Sequence, residues 1–497
     1  MIALIGLLGF LLRFFMLRSE KSLWGDEWYS IELAQKSIQE VFASITQDVH
    51  PPFFYAALHF LVKWLGFHEW VFRLIPFCAG VGTVFLVYLL GRKITGDTKS
   101  SLLSAFLVAI SPYWLHLSNE IRSYSLLGFI SCLGTLLFLR LADGKGTRRG
   151  EIFYVLTAVS VVYLEHYGLF WLFGIVIYTT YLAMRHPAAR SLLRLQAIVV
   201  ILCLPSLGIT TYQALYIEPV FYSSRITSYY SLAPMLKKIT AVFWHFACGP
   251  TFSMLSSDRV LYYISRSATF WASFVLTAVL FWLCIESLVG FVRKRMDVFI
   301  LFAFLLFFPI FCLLVLYPIR LHSRYLTFAA PYFFILVGNA FAKEQAKKWR
   351  VILLFILAGS YLYTDYNFIK MKTDPVHRED YPSMIQYTFE NAKPHDVICG
   401  FLLSPETVPY YERRLKLRHT APYVNDCSEL VKDPSLNKFN KIWLMGYMDM
   451  DEKTNTRNMA YFQQYFKSAG FSSMIHVKRF GGESGLNSVY VFEKNNL

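Results

Sequence analysis

The sequence predicts a polytopic α-helical membrane protein, with about eleven transmembrane helices, interfacial helices in its first outer loop, and a small C-terminal extracytoplasmic α/β domain. Three observations predict it. Of 497 residues, 56% are hydrophobic and 16% charged, whereas soluble domains carry roughly 25% charged residues. Apolar stretches close to the ~20 residues that cross a bilayer recur along residues 1–365. Beyond Asp365 they stop, and shorter polar and apolar segments alternate.

The spans are predicted at about 1–18, 70–91, 101–117, 123–140, 151–167, 168–184, 195–213, 264–292, 298–317, 325–342 and 350–365. The first apolar run lacks a small-residue cleavage site and leads straight into a polar loop, so it is expected to be a retained span. Alternate loops collect the basic residues: Arg92, Lys93 and Lys99; Arg140, Lys145, Arg148 and Arg149; Arg185, Arg190 and Arg194; Arg293, Lys294 and Arg295; Lys343, Lys347, Lys348 and Arg350. The positive-inside rule makes that face cytoplasmic. The net charge of +15 is thus a topology signal and not a nucleic-acid patch, and no nucleic-acid partner is expected. Residues 51–64 are apolar but short and contain His59 and Lys63. Counting them as a span would put every basic loop outside, so an interfacial amphipathic helix is expected there, starting just after His50 at the Pro51-Pro52 pair.

The transmembrane domain is assigned to 1–365 and the tail domain to 366–497. Within the tail, Asp380 to Asn391 and Thr456 to Ala469 read as helices, while Asp396 to Leu403, Lys441 to Tyr447 and Ser488 to Glu493 read as strands. An odd number of spans puts this domain on the outer face, with the first loop. Six cysteines lie within apolar segments and read as packing residues. Cys399 and Cys427 lie in the tail, where an oxidising compartment would let them pair.

Three outer constellations carry the candidate chemistry. Asp26 and Glu27 stand side by side in Trp24-Gly25-Asp26-Glu27-Trp28-Tyr29, just past the first span, followed by Asp48-Val49-His50-Pro51-Pro52. Adjacent carboxylates beside a membrane are costly to desolvate, so they imply water or a purpose; the plainer reading is a helix start, where carboxylates meet the positive end of the dipole. The second constellation is Glu120-Ile121-Arg122-Ser123-Tyr124, and the third is Arg320-Leu321-His322-Ser323-Arg324-Tyr325. Guanidinium matches phosphate oxygens bidentately, so Arg122, Arg320 and Arg324 suit an anionic headgroup, although arginines at span ends also serve as snorkelling anchors. His50 and His322 are weaker candidates, and His166 weaker again. The long outer loop from Ala214 to Tyr263, rich in tyrosine and carrying Trp244, His245 and Asp258, suits either a place at the headgroup level or a flexible cover that orders on substrate binding, and the cover is the reading taken here.

In chain order these elements resemble the GT-C glycosyltransferases of the dolichyl-phosphate-mannose protein mannosyltransferase type, which include the bacterial aminoarabinose transferases. The resemblance rests on Asp26-Glu27 and His50-Pro51-Pro52, on Phe72-Arg73-Leu74-Ile75-Pro76, on Glu120-Ile121-Arg122-Ser123-Tyr124, on Arg324-Tyr325-Leu326, and on Glu379-Asp380-Tyr381 leading to Pro394-His395-Asp396. Many family members carry Lys or Glu where this chain has His50. The resemblance implies an inverting transfer of a sugar from a polyprenyl-phosphate donor to an acceptor lipid, protein or polysaccharide on the outer face. Asp26 is then the expected base and Glu27 its support. Arg122, Arg320, Arg324, His50 and His322 would bind the donor phosphate, and Tyr29, Asp48, Glu120, Tyr124 and Tyr325 would contact acceptor or sugar. No metal is demanded, since arginines can neutralise the leaving phosphate, and no other cofactor is expected. The resemblance also implies a multi-pass protein of the bacterial inner membrane. The alternative is a flippase or transporter of a lipid-linked saccharide, against which stands the scarcity of mid-span carboxylates.

Overall fold

The structure, a computed structural model, describes residues 1–19, 21–44, 48–217, 232–249, 268–316, 322–343, 348–370, 379–425, 427, 430, 436, 438–447, 452–480 and 487–494. The chain divides into two compact units. One comprises Met1–Arg18 and Leu33–Ile369, the other Ser19–Glu32 and Lys370–Leu497. The short segment holding Asp26 and Glu27 therefore belongs with the tail.

The first unit is helical. In chain order it contains α1 (Ile2–Leu17), the end of α2 (Gly25–Gln35), α3 (Ile38–Ala43), α4 (Phe53–Leu65), α5 (Glu69–Phe72), α6 (Leu74–Thr95), α7 (Thr98–Ala109), α8 (Pro112–Leu117) and α9 (Tyr124–Ala142). Then come α10 (Arg148–Leu164), α11 (Gly168–Arg185), α12 (Arg190–Tyr212), α13 (Leu232–Cys248), α14 (Ala268–Lys294), α15 (Met296–Phe302), α16 (Phe308–Leu316), α17 (Ala330–Ala342) and α18 (Lys348–Lys370). A π-helical turn, Ala303–Phe307, joins α15 to α16. Among the described residues, seven helices are long and apolar enough to cross a membrane: Leu74–Thr95, Tyr124–Ala142, Gly168–Arg185, Pro187–Tyr216, Trp271–Lys294, Met296–Val315 and Lys348–Lys370. Ile2–Leu17, Thr98–Ala109 and Ala330–Ala342 are shorter apolar helices.

Helices lie at all eleven predicted positions, but some differ in extent. The stretch 101–117 is broken in two at Ser111, because Pro112 opens α8 and a proline fits only at the start of a helix. The stretch 325–342 begins with a 3-10 turn, Ser323–Leu326, and becomes α-helical only at Ala330, with Pro331 in the first turn. Residues 53–65 form the expected helix α4, with Phe54, Tyr55, Ala56 and Leu58 buried.

A core built on α6, α7, α9 and α17 orders the unit. Helix α17 is apolar on every side, and all of its residues but Asn339 are buried, as an all-round apolar helix requires. It packs on α7, where a Cβ on Gly338 would come within 2.2 Å of Ser104 Oγ. Inside this core, Arg13 of α1 is buried and fully engaged. Its guanidinium donates to Gly9 O and Ala109 O at 3.0 Å, to Val108 O at 3.3 Å, and through Nε to Ser118 Oγ at 3.0 Å. Within the loop expected as a cover, residues 232–248 form the helix α13, with Phe243, Trp244, Phe246 and Ala247 buried in the core; Asp258 lies outside the described residues.

The second unit carries a five-stranded sheet in the order β2-β1-β3-β5-β4. The strands are β1 (Val397–Phe401), β2 (Tyr423–Val424), β3 (Lys441–Tyr447), β4 (Phe471–Phe480) and β5 (Asn487–Lys494). β1 runs parallel to β2 and β3, whereas β5 is antiparallel to β3 and β4. Helices α19 (Tyr381–Asn391), α20 (Thr407–Leu415) and α21 (Glu452–Ser468) accompany it. Its core gathers Val397, Ile442, Leu444, Phe466, Phe471 and Phe492. Cys399 and Cys427 are joined by a disulfide, with Cα atoms 5.3 Å apart. The segment 19–32 attaches here: Leu23 N–H donates to Tyr411 Oη at 2.9 Å, and the Trp28 ring meets Tyr410 and Tyr411 edge-on.

Candidate active site

Two constellations follow, one in each unit. In the first unit the turn Asn119–Ser123, between α8 and α9, presents Arg122, which is buried. Its Nη1 donates to Tyr55 Oη at 3.0 Å, and its Cζ lies 5.8 Å from the Tyr55 ring centroid and 5.9 Å from that of Tyr124. Arg324 lies against the same tyrosine, 5.7 Å from its ring and 5.3 Å from that of Tyr325. The Tyr124 ring is thus shared by two guanidinium groups, an arrangement its negative face favours. Its hydroxyl is buried with no hydrogen-bond partner among the described residues.

Tyr325 is the hub of the aromatic side. Tyr167 stacks on it at 4.7 Å, and Tyr124, His322 and His50 lie at 5.8, 5.7 and 6.3 Å. His50 Nδ1 stands 3.4 Å from Glu165 Oε2, which also accepts from Ser123 Oγ at 3.1 Å. The sequence-predicted His50, Arg122, Tyr124, His322, Arg324 and Tyr325 are therefore brought together. Arg320 lies outside the described residues.

Glu120 joins the cluster through its backbone, where its carbonyl accepts from Arg122 N–H at 2.8 Å. Glu120 lies 3.9 Å from His116. Asp48 is buried, and its Oδ1 accepts from Val49 N–H at 2.6 Å. Glu165, Tyr55, Tyr167 and Ser123 belong to the cluster without having been singled out as site residues. Tyr55 follows three residues after the Pro51-Pro52 pair, and Glu165 adjoins His166, so the signal is position beside a motif. Among the described residues, no group of three His, Cys, Asp or Glu side chains could hold a metal ion.

The second constellation lies in the tail unit. Asp26 and Glu27 occupy the first turn of α2, as the plainer helix-start reading expects. Glu27 is buried, and its Oε2 accepts from Trp24 N–H at 3.3 Å, the return bond of a capping box. Asp26 is partly exposed and Tyr29 exposed. A third carboxylate, Glu379, is buried, and its Oε2 accepts from Gly25 N–H at 2.9 Å. Burial pushes the Glu379 carboxyl up to about 8, against hydrogen bonds from Tyr381 and Gly25, and the neighbouring charges of Asp26 and Glu27 add to the rise.

With this geometry in hand, the comparisons locate the fold. ArnT from Cupriavidus metallidurans, solved bound to undecaprenyl phosphate, aligns over 98% of this chain and 97% of its own, with a TM-score of 0.57 and 14% identity. The Archaeoglobus fulgidus oligosaccharyltransferase tethered with an acceptor peptide aligns over 100% of this chain and 74% of its own, with a TM-score of 0.51 and 13% identity. No curated protein sequence matches the chain. The chain thus shares the fold of these two solved proteins. Within it, residues 49–209 match the family model of the dolichyl-phosphate-mannose-protein mannosyltransferases. The resemblance read from the sequence is borne out, and the matched segment contains His50, Tyr55, Arg122, Tyr124, Glu165 and Tyr167.

Proposed function

We propose that this protein is an inverting glycosyltransferase, which moves a sugar from a polyprenyl-phosphate donor to an acceptor on the outer face of the membrane. One observation carries the reading. Within and beside the family-matched segment, two arginines flank a tyrosine whose buried hydroxyl has no partner among the described residues. Such a site offers two fixed positive charges and one waiting donor, which suits the phosphate of a lipid-linked sugar.

In the reaction, an acceptor oxygen attacks the anomeric carbon and forms the new glycosidic bond. The bond from that carbon to the donor phosphate breaks with its electron pair, leaving polyprenyl phosphate. The acceptor proton passes to a carboxylate, for which Asp26 is our candidate. Its partial exposure suits it better than Glu27, whose carboxylate is engaged with Trp24. Arg122 and Arg324 would bind the leaving phosphate, as would Arg320 from outside the described residues. His50 and His322 flank Tyr325 and would complete the donor side, with Tyr325 and Tyr29 as sugar or acceptor contacts. The acceptor would be a lipid, protein or polysaccharide of the cell envelope, and the membrane the bacterial inner membrane with the tail domain outside.

The test uses full-length protein in lipid vesicles, supplied with radiolabelled polyprenyl-phosphate sugars from the host membrane. Asp26→Asn is expected to lower transfer by roughly 10²–10⁴-fold while donor binding persists. Normal turnover by that variant would remove Asp26 as the base. Movement of the donor across sealed vesicles with no glycosidic bond formed would overturn the whole reading.

A further inference from the structure

Glu379, which reaches the first turn of α2 from the far end of the chain, accepts a backbone hydrogen bond there. The first turn of a helix leaves its N–H groups without intrahelical partners. In α2, two of these amides, at Trp24 and Gly25, are taken by carboxylates. Glu27 takes Trp24 N–H from within the helix, and Glu379 takes Gly25 N–H from 354 positions along the chain. Gly25 precedes Asp26 directly, so this bond fixes the backbone from which the Asp26 side chain departs. A Cβ on Gly25 would meet Glu379 Oε1 at 3.9 Å, an ordinary van der Waals contact, so the hydrogen bond and not crowding joins the two. The neighbouring amide of Tyr381 is itself held by Ser22 Oγ at 3.3 Å, so residues 22–25 are joined to residues 379–381 at two points.

We propose that Glu379 is a positioning residue for Asp26: its bond to Gly25 sets the aim of the Asp26 carboxylate. This inference rests on the assignment of Asp26 as base. The groups facing Glu379 are Asp26 and Glu27 on α2 and Tyr381 on its own side. With Glu379 neutral, the first turn of α2 carries two carboxylates and one uncharged acceptor. Once Glu379 ionises, three carboxylates crowd one helix turn with Glu379 and Glu27 buried, and relaxation toward water loosens the Gly25 anchor. The arrangement therefore holds Asp26 well aimed below the titration of Glu379 and less well above it.

The test compares full-length wild type with Glu379→Gln, which keeps an acceptor for Gly25 N–H without a titrating proton, and with Glu379→Ala, which removes it. Hydrogen exchange of the Gly25 to Trp28 amides, corrected for intrinsic rate, is followed from roughly pH 6 to 9.5 alongside sugar transfer from host polyprenyl-phosphate sugars. In wild type, protection and transfer should fall together as pH rises through about 8. Glu379→Gln should hold both level across that interval, and Glu379→Ala should lose about tenfold or more of transfer at neutral pH. An alkaline fall in Glu379→Gln identical to that of wild type would overturn the inference, as would wild-type transfer by Glu379→Ala. Should Glu379→Ala not fold, the comparison of wild type with Glu379→Gln decides alone. An active Asp26→Asn variant would instead remove the base assignment. An inactive Asp26→Asn beside a Glu379→Gln that matches wild type at every pH would remove only the role of Glu379.

Discussion

The hydroxyl of Tyr124 is a buried polar group that folding leaves without a partner among the described residues, at the point where Arg122 and Arg324 meet one ring. A lone buried hydroxyl costs about 1–3 kcal/mol, so nothing in folding favours it. Tyr124→Phe is therefore expected to leave thermal stability unchanged or raise it slightly, while raising the KM for the polyprenyl-phosphate donor several-fold. Unfolding scans and donor titrations of the same preparation check both halves. A second contrast separates the arginines. Arg122 is buried and also holds Tyr55, so Arg122→Lys should lower both stability and transfer. Arg324 is only partly buried, so Arg324→Ala should act mainly on donor use. Equal loss of stability in the two variants would count against that division.

At the scale of elements, α7 and α17 meet where Gly338 faces Ser104. A methyl group on Gly338 would lie 2.7 Å from the Ser104 backbone nitrogen as well as against its hydroxyl, so the helices must part to admit it. Gly338→Ala is expected to cost about 1–3 kcal/mol, read as a lower unfolding midpoint in lipid or detergent. The same elements explain what was legible in advance. Apolar length and basic loops located the helices, because bilayer thickness and loop charge act on sequence directly. They did not locate the break at Ser111 or the 3-10 entry at Ser323, where prolines and local hydrogen bonds decide the path. In the tail, the predicted run Lys441 to Tyr447 coincides with β3, whereas β4 went unread. Its register shifts after Phe471 and after His476 disturb the alternation that marks a strand. The site was legible through Arg122, Arg324 and the motifs that hold them. Tyr55, Glu165 and Tyr167 were not, because only packing brings them to Arg122, His50 and Tyr325. Nor could a reading along the chain join Gly25 to Glu379.

For the whole molecule, the tail unit should show a pH-dependent stability set by Glu379. Its native carboxyl holds a proton up to about 8 against a usual 4.5, so the native state binds more protons than the unfolded chain between those values. Stability then falls as pH rises across that window, by on the order of a few kcal/mol, and levels off above it. Urea unfolding of the full chain, followed through exchange of the β3 and β5 amides at pH 5 and pH 8.5 (round values, roughly either end of that window), measures it, and Glu379→Gln should flatten it. In the helical unit, Arg13 has a different consequence, for biogenesis. The first helix enters the bilayer carrying a guanidinium whose acceptors include Val108, Ala109 and Ser118, which lie 95 to 105 residues further along the chain. Until those segments emerge from the ribosome, α1 holds an unsettled cation in the membrane. Nascent chains arrested before Ser118 should therefore be recognised by membrane quality control, which makes Arg13 a checkpoint for insertion of the first helices.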